Sequence, residues 1–135
     1  MYRCTPRLEI HPERIVANAR SVIGLCHAHG AQVAAVTKVT CAHPAVMEAL
    51  VAGGADMIAD SRLTNLQAMA AQGLDRPSLL LRIPAPSQLN DVVRTAEISL
   101  NSSLSTLQGL SEAARSAGRV HRAIVMVDVG DLREG

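Results

Sequence analysis

Lys38 is the only lysine in the 135-residue chain, and it stands at the end of an apolar run, residues 33–37. The other basic residues are all arginine. A primary amine can form a Schiff base with an aldehyde, whereas a guanidinium cannot. Because α/β folds keep their chemistry at the carboxyl ends of strands, the position makes Lys38 a candidate for covalent catalysis. The competing interpretation is a surface lysine at a strand end.

Polar and basic side chains also follow other apolar runs. Asp60 and Ser61 come after one such run, and both are explained as N-cap residues of the next helix. Arg62 is explained less well, because a cation is mildly unfavourable near a helix N-terminus, so it is a weak site candidate. Arg82 follows a run of three leucines at the mouth side of the predicted sheet and is a better candidate.

Three further polar groups have ordinary structural explanations. Asn101 and Ser102 end another strand, and we interpret them as caps that also line the pocket. His43 stands at a helix start and reads as a solvated loop residue. Cys26 and His29 share a helix face, but no second cluster of ligands accompanies them, so the sequence favours no metal site.

Short apolar strands alternate with amphipathic helices along the whole chain. This order predicts βα units and a parallel sheet. Strands are predicted at residues 7–10, 33–37, 56–59, 78–82, 98–100 and 121–128, and helices at 12–30, 44–53, 61–73, 87–97 and 104–117.

The alternation is compatible with a doubly wound sheet or with the first part of a (β/α)8 barrel, which typically needs roughly 250 residues. The pattern alone does not choose between them. Because the sequence stops soon after a strand, without a closing helix, we expect an incomplete barrel.

Composition excludes several classes of function. The net charge of +1 gives no electrostatic basis for binding nucleic acid, and the chain has no Trp or Phe and one Tyr with which bases could stack. No apolar run is long enough to span a membrane, and no signal segment opens the chain. Three widely spaced cysteines argue against a disulfide framework. We therefore expect a cytoplasmic protein that binds neither nucleic acid nor membrane.

Five segments, each at a strand end, together resemble the N-terminal part of the alanine racemase-type barrel enzymes, which depend on pyridoxal 5′-phosphate. Within that group they look most like the ornithine racemase-like branch. The resemblance covers nearly the whole chain and implies that residues 1–135 are an incomplete N-terminal barrel domain with about five barrel strands. The segments are Val36-Thr37-Lys38-Val39, Ala59-Asp60-Ser61-Arg62, Leu81-Arg82-Ile83-Pro84, Ser99-Leu100-Asn101-Ser102 and residues 127–135.

The resemblance implies a role for particular residues. Lys38 would hold the cofactor aldehyde as an internal aldimine and then move a proton at the substrate α-carbon. A buried strand end would favour the neutral amine by desolvation. Arg133 matches the family arginine that lies near the cofactor ring oxygen, where a fixed cation stabilises charge. Arg82 and Asn101 are further candidates for cofactor binding.

One departure bears on the substrate. Where classical alanine racemases supply a tyrosine that reaches the cofactor phosphate, this chain has Ala42. The departure favours ornithine or another basic amino acid, with an alanine-like substrate as the alternative. The resemblance also implies a homodimer. It further implies that the phosphate cradle and the second catalytic base lie beyond Gly135, so the chain is expected to be inactive alone.

Two other interpretations remain open at this stage. A non-catalytic protein of the same barrel type would bind pyridoxal phosphate through the same lysine. An unrelated flavodoxin-like domain would have the same alternation of strands and helices, but no glycine-rich phosphate loop follows any strand.

Overall fold

The computed structural model describes residues 6–130 and 132. In these residues helices and strands alternate as predicted, and most begin and end within a few residues of their expected limits. Pro12 and Pro44 each stand at the first turn of a helix, where a missing N–H costs nothing. The elements are α1 (Pro12–Ala28), β1 (Ala34–Val36), α2 (Pro44–Ala52), β2 (Met57–Asp60), α3 (Leu63–Ala71), β3 (Ser78–Leu80), α4 (Leu89–Thr95), β4 (Ile98–Asn101), α5 (Leu104–Ser116) and β5 (Arg122–Val125).

The five strands form one parallel sheet in the order β1-β2-β3-β4-β5. In the β1–β2 register Val36 pairs with Ala59, and in the β2–β3 register Ala59 pairs with Leu79. A doubly wound sheet reverses its strand order at a switch point, and this sheet has no reversal. The order is that of consecutive barrel strands, which resolves the ambiguity in the sequence pattern.

The sheet has an apolar surface on both faces. On one face Ala35, Ile58 and Leu80 pack in clusters with residues of the helices. On the other face Ala59 and Leu79 form a smaller cluster with a residue of β4. Burial on both faces accounts for the continuous apolar strands in the sequence.

Two predicted strands differ from the structure. Residues 7–10 form no strand, and Leu8 is 86% exposed, so the alternating pattern there is not matched by a paired sheet edge. The last strand is Arg122–Val125 rather than 121–128, and all four of its residues are exposed. In the described residues β5 pairs only with β4 and no helix follows it, so the strand is paired along one edge only.

Candidate functional site

Lys38 lies just beyond the carboxyl end of β1, as predicted. β1 ends at Val36, Thr37 has already left the extended conformation with ψ at 0°, and Lys38–Thr40 forms a single 3-10 turn. The turn is closed by a hydrogen bond from the Thr40 amide to the Thr37 carbonyl oxygen at 3.0 Å. The expectation of a buried lysine is wrong, because Lys38 is exposed at the mouth of this open sheet. Its side-chain nitrogen forms no hydrogen bond or ion pair with the described residues, so no neighbouring group there competes for it.

The backbone after this turn adopts an uncommon conformation. Cys41 and Ala42 both have positive φ, 49° and 54°, although neither is glycine. Left-handed backbone costs an L-residue about 1–2 kcal/mol, so the surrounding contacts must hold the loop. Ala42 is 3% exposed and packs in a core cluster with Met47. The side chain at position 42 therefore packs in the core rather than in solvent.

Asp60, at the end of β2, carries a fully buried carboxylate. One oxygen accepts hydrogen bonds from the Thr37 hydroxyl at 2.8 Å and from the Asn65 side-chain amide at 3.0 Å. The other oxygen accepts from the Arg62 backbone N–H at 2.9 Å. The buried charge is thus satisfied by three donors, and its side chain links the ends of β1 and β2 beside Lys38.

The prediction that Asp60 or Ser61 is the N-cap of α3 is wrong. Arg62 occupies the N-cap position and makes no side-chain capping bond. The carboxylate of Asp60 is held in the buried cluster with Thr37 and Asn65 instead. Sequence reasoning missed both of these partners. The available signal was that Thr37 and Asp60 each end a buried strand, and parallel strand ends meet at one edge of the sheet.

Arg82 and Arg62 line the same cavity, of about 250 Å³, between the ends of β2 and β3. Leu80 and Ile83 form part of its apolar wall, and both arginines are exposed. Lys38 is not among the lining residues. The two arginines therefore form a cationic rim on one cavity, and Lys38 does not line that cavity.

Asn101 is fully buried at the end of β4. Its side-chain amide donates to the Ser99 hydroxyl at 2.9 Å and to the Ser99 carbonyl oxygen at 3.1 Å, while its Oδ1 has no hydrogen-bond partner in the structure. The interpretation of Asn101 as a cap is wrong, because Ser103 caps α5 by accepting from the Thr106 amide. Its predicted contact with the cofactor remains a prediction.

The remaining sequence candidates stand apart from Lys38. Arg133 lies outside the described residues. His43 is exposed at the start of α2, as expected for a loop residue. His29 donates a ring N–H to the Leu25 carbonyl oxygen, and His27 bonds Asp56 at 2.8 Å. In residues 6–130 and 132 no three His, Cys, Asp or Glu side chains gather as a metal site.

The chemistry of the exposed groups fits a cofactor that carries an aldehyde and a phosphate. Lys38 offers a primary amine to the aldehyde, with no described group competing for it. Arg62 and Arg82 offer guanidinium groups at neighbouring strand ends, and guanidinium binds phosphate or carboxylate well.

No helix in the described part of the chain is both long enough and apolar enough to cross a membrane.

Residues 10–135 match the family described as alanine racemase, N-terminal domain. The chain is 40% identical over 130 residues to ornithine racemase of Acetoanaerobium sticklandii, and 35% identical over 130 residues to lysine racemase of Thermotoga maritima. These alignments cover 96% of the chain but only 36% and 37% of the two relatives, so the chain spans little more than a third of their length.

A solved structure supports the assignment of the fold. The D-threonine aldolase of Filomicrobium marinum superposes with a TM-score of 0.81 at 18% identity, over 97% of this chain and 36% of that one. At this identity the likeness concerns the fold alone. Together with the unreversed strand order, it identifies the sheet as the N-terminal portion of a (β/α)8 barrel.

Proposed function

Because the chain belongs to the alanine racemase N-terminal domain family, we propose that residues 1–135 form part of the barrel domain of a pyridoxal-phosphate-dependent amino-acid racemase. The observation that carries the proposal is the place of Lys38. It is the only lysine in the chain, it follows the first barrel strand, and no described residue pairs with its amine.

Lys38 has two roles in this proposal. Its amine would hold the cofactor through the aldehyde, and the same amine would move a proton at the substrate α-carbon. The cofactor, when bound, supplies an electron sink for the carbanion at that carbon. Arg133 and Asn101 are proposed to contact the cofactor, and the guanidinium of Arg82 is proposed to bind one of its anionic groups.

We propose a basic amino acid as the substrate. The names of two relatives, ornithine racemase and lysine racemase, support a substrate with an amine at the end of its side chain. Ala42 is consistent with this choice, because this chain has an alanine at about the place where classical alanine racemases supply a tyrosine. An alanine-like substrate is the alternative within the same reaction. A homodimer is also proposed, by resemblance to the family.

A non-catalytic carrier of pyridoxal phosphate is the rival function. It would use Lys38 in the same way but would leave the substrate α-carbon untouched. Both relatives named above are racemases, so the comparisons favour the enzyme.

The test of the proposal is covalent capture of the cofactor. The chain is incubated with pyridoxal phosphate, reduced with borohydride and digested, and the modified peptides are located by mass spectrometry. We expect one internal site, at Lys38. The matched control is Lys38→Arg, which keeps the positive charge but cannot form the imine. Internal labelling that persists in this variant, or labelling confined to the N-terminal amine, would contradict the proposal.

A further inference from the structure

We infer that Asp60 is the positioning residue for Lys38, acting through the hydroxyl of Thr37. The inference rests on the proposed function, because it concerns how the amine that binds the cofactor is held. Asp60 itself belongs to the neighbouring strand and has no expected contact with the cofactor.

The carboxylate of Asp60 lies where an unsatisfied charge would be costly. Asp60 is 0% exposed, and the described residues give it no ion pair. Removing a charge from water costs several kcal/mol unless its hydrogen-bonding capacity is filled. Three donors fill it here, and one of them, Thr37, is itself 1% exposed. A buried charge of this kind contributes little net stability. We therefore assign its role to the geometry that its hydrogen bonds fix.

The hydrogen bond between Thr37 and Asp60 lies just beyond the paired ends of β1 and β2. The pairing of β1 with β2 ends at Val36 and Ala59, and the Thr37 amide still donates to the Ala59 carbonyl oxygen at 3.0 Å. The Thr37 hydroxyl then bonds Asp60 at 2.8 Å. The side chains thus extend the contact between the two strands by one residue beyond the ladder, to the residue directly before Lys38.

Thr37 also holds the turn that contains Lys38. The Thr37 carbonyl oxygen accepts from the Thr40 amide and hydroxyl, each at 3.0 Å, and from the Ala42 amide at 3.4 Å. Lys38 therefore lies inside a turn whose closing bonds all converge on one residue. Cys41 and Ala42, the two residues after the turn, have left-handed backbone that is costly unless neighbouring contacts hold it. We therefore expect the loop to leave this conformation if Thr37 moves.

Four variants of the full 135-residue chain test the inference. Thr37→Val removes the hydroxyl at nearly constant volume, whereas Thr37→Ser keeps the hydroxyl and removes the methyl group. Asp60→Asn keeps the shape but cannot accept all three bonds. The control is Ser78→Ala, which removes a buried hydroxyl bonded to Glu97 and to the Thr95 carbonyl oxygen at the opposite end of the sheet.

Two measurements are made on each variant. Hydrogen exchange of the Thr40 and Ala42 amides reports the order of the turn without any cofactor. The equilibrium fraction of Lys38 labelled by pyridoxal phosphate and borohydride reports the position of the amine. We expect Thr37→Val and Asp60→Asn to speed exchange and to weaken capture by roughly tenfold, the worth of a hydrogen bond to a charged group. Thr37→Ser should keep the exchange rates and the labelled fraction close to those of the unaltered chain, and Ser78→Ala should change neither.

The outcomes separate the two proposals. If the unaltered chain takes no label at Lys38, the proposed function fails, and the exchange rates still decide the inference. Exchange in Thr37→Val at the rate of the unaltered chain would overturn the inference, even where Lys38 is labelled. Equal loss of capture in Ser78→Ala would also overturn it, because the effect would then follow global stability rather than the link to Asp60.

Discussion

The imidazole of His121 and the hydroxyl of Ser99 are joined by a hydrogen bond of 2.8 Å between β4 and the start of β5. The other ring nitrogen of His121 lies 3.0 Å from the Ala96 carbonyl oxygen, to which it must donate. Because burial lowers the pKa of His121, the ring is neutral at neutral pH. With its proton on Nδ1, Nε2 then accepts from the serine hydroxyl.

This arrangement predicts a loss of stability in mild acid. Burial lowers the pKa of His121 below its ordinary value of 6.5, although the bond to Ala96 and the charge of Glu97 oppose the shift. The unfolded chain then binds the proton first, so the contribution is complete above about pH 6.5 and is lost as the pH falls through the lower folded value. The free energy of unfolding in urea should be measured at about one pH unit above and about one to two units below the ordinary histidine pKa. The difference between the two values reports the lost contribution of His121.

The control for this prediction is His121→Gln, which cannot titrate. The variant should be less stable at neutral pH but should lose less free energy of unfolding on acidification than the unaltered chain. A second acid-sensitive group is expected to remain in both proteins, because the hydrogen bond from His27 lowers the pKa of Asp56 below 3.8. That contribution disappears only at lower pH. Identical pH profiles for the two proteins would contradict the assignment to His121.

Two glycines should respond in opposite directions to alanine. A Cβ at Gly53 would collide with the Cβ of Ala19, where α1 crosses the end of α2. Overpacking of this kind costs about 1–3 kcal/mol. Gly24 lies within α1 with no atom within 4 Å of the added Cβ, so Gly24→Ala should stabilise by about 0.5–1 kcal/mol. Thermal or urea unfolding of both variants checks the prediction, and a stabilised Gly53→Ala would show that the helices do not approach as described.

The 135-residue chain is expected to show no racemase turnover by itself. Racemisation requires a base on each face of the α-carbon, and the proposed site supplies Lys38 alone. The assay follows both enantiomers of ornithine, lysine and alanine with added pyridoxal phosphate, and Lys38→Ala gives the background. Turnover above that background would show that a second base is present among these residues.

The chain is also expected to associate through its last strand. All four residues of β5 are exposed, including Ile124 at 46% and Val125 at 61%. Unpaired backbone groups beside exposed apolar side chains favour pairing with another copy. Sedimentation at low micromolar concentration should find dimers or larger species, and Ile124→Lys should shift the population toward monomer. A monomeric unaltered chain with protected β5 amides would show that the fold is sufficient by itself.

Much of the fold follows from local pattern. The alternation of apolar runs with helical segments predicts each of the five observed strands, although the last is predicted too long, and Pro12 and Pro44 mark the starts of their helices. Residues 7–10 show the limit of the same reasoning, because a strand requires a paired partner and this segment pairs with no strand in the described part of the chain. The choice between a doubly wound sheet and a barrel is likewise a matter of strand order, which no local pattern contains.

For the candidate site, the sequence by itself determined that a lone lysine follows the first strand and that arginines follow others, since strand ends are set by short-range periodicity. Only the tertiary structure decided which of these groups meet. Thr37 and Asp60 are 23 residues apart and touch because the register of β1 on β2 brings their ends together. Arg82 lines a cavity with Arg62 that Lys38 does not line, and Lys38 is exposed rather than buried, because burial and contact depend on how separate strands are assembled in space.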